Sequence, residues 1–85
     1  MADRAEVTRL IRSVLAQVSL REPDDIQDDW TLMDLGIDSL TFSHIAATLE
    51  AEYGVELDEQ TLMSLMLSRS VRELIDAAHS VSASA

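Results

Sequence analysis

Cysteine and lysine are both absent from the 85-residue chain, which has one proline and no apolar run approaching the length of a membrane span. Without cysteine the protein has no disulfide, no zinc ribbon and no thiol nucleophile of its own, so any sulfur chemistry has to be borrowed. The six basic side chains are all arginine and stand against sixteen carboxylates, a formal charge of −10. That charge repels phosphate backbones and makes nucleic acid and anionic membranes unsuitable partners, whereas basic protein surfaces suit it. The segment Met1-Ala2-Asp3-Arg4-Ala5-Glu6 lacks the basic-then-apolar layout of a secretory signal. The expected location is the cytoplasm and the expected state a monomer.

Enough apolar residues are present, 47%, to set the chain apart from acidic disordered segments, which cannot bury enough surface to offset chain entropy. A single domain of this size buries only roughly 60% of its unfolded surface. Little room is left for an internal catalytic cavity, which favours a molecule that presents something on its outside.

From Asp3 to about Ser19 the residues Val7, Leu10, Ile11, Val14, Leu15 and Val18 recur at the spacing of one helical face, with Asp3 as N-cap. Pro23 opens the acidic stretch Asp24-Asp25-Ile26-Gln27-Asp28-Asp29, and residues 20 to 37 read as a long ordered loop fastened over the core by Ile26, Trp30, Leu32 and Leu35. Those aspartates lack the alternating ligands and distal glutamate of a calcium loop and read as a solvated face. Gly36 permits a turn, Asp38 caps a second helix from Ser39 to about Tyr53, and Gly54 ends it; Phe42, Ile45, Ala46, Leu49 and Tyr53 form its inner face. A short connection through Val55 and Leu57 leads, after Asp58, to a short third helix containing Leu62, Met63, Leu65, Met66 and Leu67, read chiefly as core filling. Ser70 and Glu73 form the capping box of a fourth helix, whose Val71, Leu74, Ile75 and Ala78 share a face, with His79 near its end as a partner of the helix dipole. Residues 81–85, small and polar, are expected to fray. The sum is an all-α fold, a small four-helix bundle with a long loop between the first two helices and a short third helix.

The junction Asp34-Leu35-Gly36-Ile37-Asp38-Ser39-Leu40 carries the functional signal. A glycine shortly before Asp-Ser-Leu at the start of a second helix resembles the signature of the acyl and peptidyl carrier proteins of fatty acid, polyketide and nonribosomal peptide synthesis. The resemblance extends to the domain length, the long first loop, the short third helix, Ser70-Val71 at the start of the fourth and the acidic charge. It implies a carrier domain over residues 1–80 in which Ser39 is the attachment site of 4′-phosphopantetheine, transferred from coenzyme A by a separate phosphopantetheinyl transferase. Local chemistry agrees, because a serine in the first helical turn sits near unpaired amides at the positive end of the helix dipole, where an anion is favoured. The borrowed thiol would also explain the missing cysteine. Capping alone is the other reading of that serine when it is taken without its context.

Asp38 caps the helix and, by the resemblance, also lies beside the metal-dependent transfer chemistry. Leu40 is implied as an apolar contact for partner enzymes. Fatty-acid carriers place carboxylates on the outward face just after the serine. Here the outward positions are Thr41, His44, Ala47, Thr48 and Ala51, and acidic residues come later, at Glu50, Glu52, Glu56, Asp58 and Glu59. Docking on such a surface relies on shape and apolar contact more than on steering. That departure points away from housekeeping fatty acid synthesis and toward a dedicated carrier of specialised metabolism, of the polyketide kind, with a peptidyl or aryl carrier of nonribosomal peptide synthesis as the alternative. The implied partners are an acyl-loading enzyme and a ketosynthase or condensation-type enzyme, each bound transiently. Leu62, Met63 and Met66 are also candidates to line a channel for bound cargo, the methionines being pliable enough to repack around a guest.

His44, about one turn past Ser39, suggests a serine–histidine pair, but the chain offers neither an orienting acid nor an oxyanion site, and it reads as a solvent-facing residue of a protein that is not an enzyme. From a different class, a cofactor-free acidic helical module that binds a basic partner directly would share the same composition. The Met1 start and small polar tail lean toward a free-standing protein.

Overall fold

Helix α1, Arg4–Ser19, begins where the Asp3 carboxylate accepts a hydrogen bond from the Glu6 amide at 2.9 Å. The computed structural model describes residues 3–83. In α1 the residues Val7, Ile11, Val14, Leu15 and Ala16 are buried and Leu10 is half-buried. Val18, expected on the same stripe, is 41% exposed, and Ala16 takes the last buried position instead. The helix ends on Leu20, a left-handed residue with φ 57° whose amide donates to the Ala16 carbonyl. No glycine marks that end, and residue type alone does not announce the conformation.

The loop from 20 to 37 contains one 3₁₀ turn, Pro23–Asp25, which the sequence reading did not anticipate. Ile26, Leu32 and Leu35 are buried and Trp30 is half-buried, as expected of anchors, and the Arg21 guanidinium lies 5.1 Å from the Trp30 ring centroid. Backbone hydrogen bonds fix the loop to residues far along the chain: Leu32 N donates to Arg69 O at 2.9 Å, Val71 N to Trp30 O at 3.0 Å, and Arg72 N to Asp28 O at 2.9 Å. Thr31 and Ser70 form an isolated antiparallel bridge there. The Arg12–Asp28 ion pair adds a side-chain tie.

Helix α2, Ser39–Tyr53, is capped by Asp38 and ends at Gly54, φ 63°, whose amide donates to Glu50 O. The Glu50 carboxylate in turn accepts from Leu57 N at 3.0 Å, holding the connection to α3. Helix α3, Glu59–Met66, starts at Asp58, whose carboxylate accepts from Thr61 N at 2.7 Å.

Core filling by the Leu62–Leu67 run is corrected by the structure. Only Leu65 is fully buried, while Met63, Met66 and Leu67 are 56%, 44% and 71% exposed. At roughly 100° per residue, turning position 65 inward leaves 62 and 61 on the flanks and sends 63 and 67 to the far side. Leu62 and Thr61 are accordingly half-buried. The two methionines therefore stand partly on the surface rather than turned inward beside Leu62, as lining a cargo channel would require.

Helix α4, Val71–Ala83, packs against α1, α2 and α3 and so closes the bundle. Glu73 N donates to Ser70 Oγ at 3.2 Å and Arg69 N to the Glu73 carboxylate at 3.3 Å, completing the capping box. The frayed tail expected from residue 81 is also corrected. Val81 and Ser82 are helical and buried, because the inward spacing of 71, 74, 75 and 78 continues through 81 and 82, and the Ser82 hydroxyl donates to His79 O at 2.9 Å. Residues 84 and 85 lie outside the described residues. No helix among the described residues is long and apolar enough to cross a membrane.

Candidate functional site

The approach to α2 is held by one residue, Leu32. Its carbonyl accepts from Leu35 N at 3.2 Å and Ile37 N at 3.0 Å, while its own amide is bound to Arg69. Between them Gly36 N donates to Met33 O at 3.0 Å, with Gly36 at φ 75°, a conformation that favours glycine. The chain therefore arrives at Asp38 along a fixed path, braced against the α3–α4 junction.

Asp38 is extended, and its Oδ1 accepts from Thr41 N at 3.0 Å and from Thr41 Oγ1 at 3.1 Å. These two donors on Thr41, the amide first, hold the Asp38 carboxyl below its ordinary value. The carboxylate is thus occupied with the cap. Ser39, the first residue of α2, is exposed, and its hydroxyl makes no hydrogen bond among the described residues. Leu40 beside it is 80% exposed, and Phe42 and Ile45 turn into the core. A hydroxyl standing free at a helix start, with its neighbour's charge already engaged, is open to a visiting enzyme. The positive end of the helix dipole suits a phosphodiester attached there.

The other expected partner-facing residues divide. Leu40, His44, Ala47 and Ala51 are exposed and recur at helical spacing as an uncharged stripe, joined by Ser43, which the sequence reading missed. Thr41 and Thr48, also expected to face outward, are half-buried; the Thr41 hydroxyl is tied to Asp38 and that of Thr48 donates to His44 O at 2.9 Å. The first turn of α2 holds no acidic residue.

Met33, 86% exposed, was also missed. It lies next to the Leu32–Arg69 hydrogen bond, as Leu67 lies two residues from it, so loop tip and α3 end bring exposed apolar side chains to the end of the bundle where α2 begins. A groove of about 620 Å³ lined by Gly54, Leu57, Thr61, Ala77 and Val81 includes neither Ser39 nor Leu62, Met63 or Met66. It opens at the other end of α2, about 22 Å along the helix axis from Ser39. Among the described residues no group of three or more His, Asp or Glu is arranged to hold a metal ion.

Comparison with known proteins bears on the same residues. The model of the family described as "Phosphopantetheine attachment site" matches residues 9–78. The chain is 39% identical over 64 residues to the non-reducing polyketide synthase dbaI of Emericella nidulans, a match covering 75% of this chain and 2% of that protein. It is 31% identical over 72 residues to the citrinin polyketide synthase of Monascus ruber, covering 85% of this chain and 3% of the relative. The chloroplastic acyl carrier protein of Brassica napus is 28% identical over 75 residues, covering 88% of this chain and 56% of that protein. The chain thus spans only a few per cent of the length of the synthases it matches. The solved structure of the HMG-ACPI domain from the CurA module of Lyngbya majuscula superposes with a TM-score of 0.69 at 23% identity, covering 96% of this chain and 81% of that one, which shows a shared fold. The chain belongs to the phosphopantetheine-attachment family of carrier domains, whose members hold 4′-phosphopantetheine covalently.

Proposed function

We propose that Ser39 bears the 4′-phosphopantetheine arm and that the domain carries acyl intermediates as thioesters in polyketide assembly. The observation that carries this reading is the free, exposed hydroxyl at the first position of α2, presented by the Asp38 cap and the Leu32 brace. In the loading reaction the Ser39 oxygen forms a bond to the phosphorus of coenzyme A that leads to the pantetheine. The phosphoanhydride bond to adenosine 3′,5′-bisphosphate breaks, and the hydroxyl proton passes to a base of the transferase. Asp38 keeps the serine at the helix start through Oδ1, and its other carboxylate oxygen, exposed and not used by the cap, is the one available to the transferase's metal ion. When attached, the group supplies the thiol that the chain lacks.

The polyketide assignment is supported by the relatives named above and by the uncharged stripe Leu40, His44, Ala47 and Ala51, unlike the acidic first turns of fatty-acid carriers. It is preferred on those grounds to a peptidyl or aryl carrier. On this reading the domain presents cargo to other enzymes, and His44 is a surface residue of that presenting face. A transferase, an acyl-loading enzyme and a ketosynthase each dock on the Ser39 end with low affinity, since a shuttle must leave each station.

Incubation with coenzyme A and a broad-specificity transferase, followed by intact mass measurement, tests the assignment. The wild-type chain gains one phosphopantetheine and Ser39→Ala gains none. An unmodified wild-type chain, or a modified Ser39→Ala, refutes it.

A further inference from the structure

Charge is distributed unevenly along the chain. Twelve of the sixteen carboxylates, and none of the six arginines, lie between residues 22 and 68, which include the long loop, α2 and α3. Three arginines, Arg4, Arg9 and Arg12, line one open groove of about 490 Å³ on α1, closed on its other side by Pro23 and Asp24. With Ala5, Thr8 and Pro23 the lining holds three guanidinium groups against one carboxylate, Asp24. No residue of α2 or α3 lines it.

The three arginines differ in state. Arg4 pairs with Asp76 and Arg12 with Asp28, with the side chains between one third and three fifths exposed. The Arg4–Asp76 pair is exposed, and exposed pairs are weak, whereas Arg12–Asp28 is half-buried and stays part of the fold. Arg9 has no ion pair or hydrogen bond among the described residues. Exposed Arg9 therefore gives the groove a cation that no carboxylate of the described residues pairs.

We propose that this groove is a second docking surface, which receives a short acidic segment of a partner protein while Ser39 remains free. Charge complementarity selects carboxylates. The size of the groove selects a short segment, because residues 4 to 12 of a helix span about 12 Å, the length of about four residues of extended chain. The twelve carboxylates of the 22–68 segment exclude extended polyanions, whose charge would overlap that negative field, but they do not exclude a compact acidic peptide. Such a contact would hold the carrier beside an enzyme by a face that the arm does not use.

The test is a titration of the ¹⁵N-labelled chain with an acetylated peptide of alternating glutamate and leucine, followed by amide chemical shifts. Shifts are expected at residues 4–12 and 23–24, with affinity falling as salt is raised. Arg9→Glu is expected to weaken binding by about five- to tenfold, and Arg9→Gln by less. Neither change should alter the melting temperature or the loading of Ser39, so a failed result here leaves the Ser39 assignment standing. The proposal is overturned if the glutamine version of the peptide binds equally well, if the shifts map elsewhere, if Arg9→Glu leaves the affinity unchanged, or if phosphatidylserine vesicles bind where the peptide does not.

Discussion

Leu20 is the one non-glycine residue with a positive φ among the described residues, and at 93% exposed it buries almost nothing in return for that conformation. Leu20→Gly removes the left-handed cost without opening a cavity and should stabilise the protein by about 1 kcal/mol, read as a higher midpoint in thermal unfolding followed by circular dichroism. Gly54→Ala should do the reverse by a similar amount, about 1 kcal/mol, since no atom obstructs a Cβ there and the backbone angle alone is strained. Asp38 gives a prediction in pH. Its carboxyl is held below the ordinary value of 3.8 by Thr41, so its stabilising contribution is complete above the unfolded value and disappears as pH falls through the lower, folded one. The Thr41 amide resonance should titrate with a midpoint below the ordinary carboxyl value of 3.8, and a midpoint at or above that value would contradict the cap. Gly36, Asp38 and Gly54 were legible in the sequence because caps and turns are local chemistry. Leu20 was not, because nothing in a leucine announces a left-handed residue.

Among the elements, α3 shows where periodicity misleads. Five apolar residues in six suggested a buried helix, yet a helix of eight residues lying at the surface turns only one narrow face inward, and Leu65 alone occupies it. Leu65→Ala should cost about 2–5 kcal/mol in denaturant unfolding. Met63→Gln and Met66→Gln, on the exposed side, should each change stability by less than about 0.5 kcal/mol. The end of α4 errs in the other direction. Ser80 and Ser82 on either side masked the apolar signal of Val81, yet both Val81 and Ser82 are buried. Hydrogen exchange should show protected amides through residue 82, where a frayed tail would exchange at once.

For the whole molecule, the all-α class, the four helices and the serine at the head of the second were readable from spacing and from one motif. What could not be read was the fastening of the long loop to the start of α4. That junction is made by backbone groups of residues about forty positions apart, Leu32 with Arg69 and Trp30 with Val71, and backbone pairing leaves no mark in residue type. It is this fastening that sets the path into Ser39. The net charge of −10 also acts on the molecule as a unit. With only two ion pairs among the described residues, one exposed and one half-buried, mutual repulsion of carboxylates outweighs attraction, so raising salt from low ionic strength to about 0.15 M should raise the melting temperature. The most direct measurement of the central claim is fragmentation mass spectrometry of the loaded protein. The account predicts the phosphopantetheine on Ser39 and on none of the other serines, including Ser43 four residues along the same helix; an adduct on any other residue would contradict it.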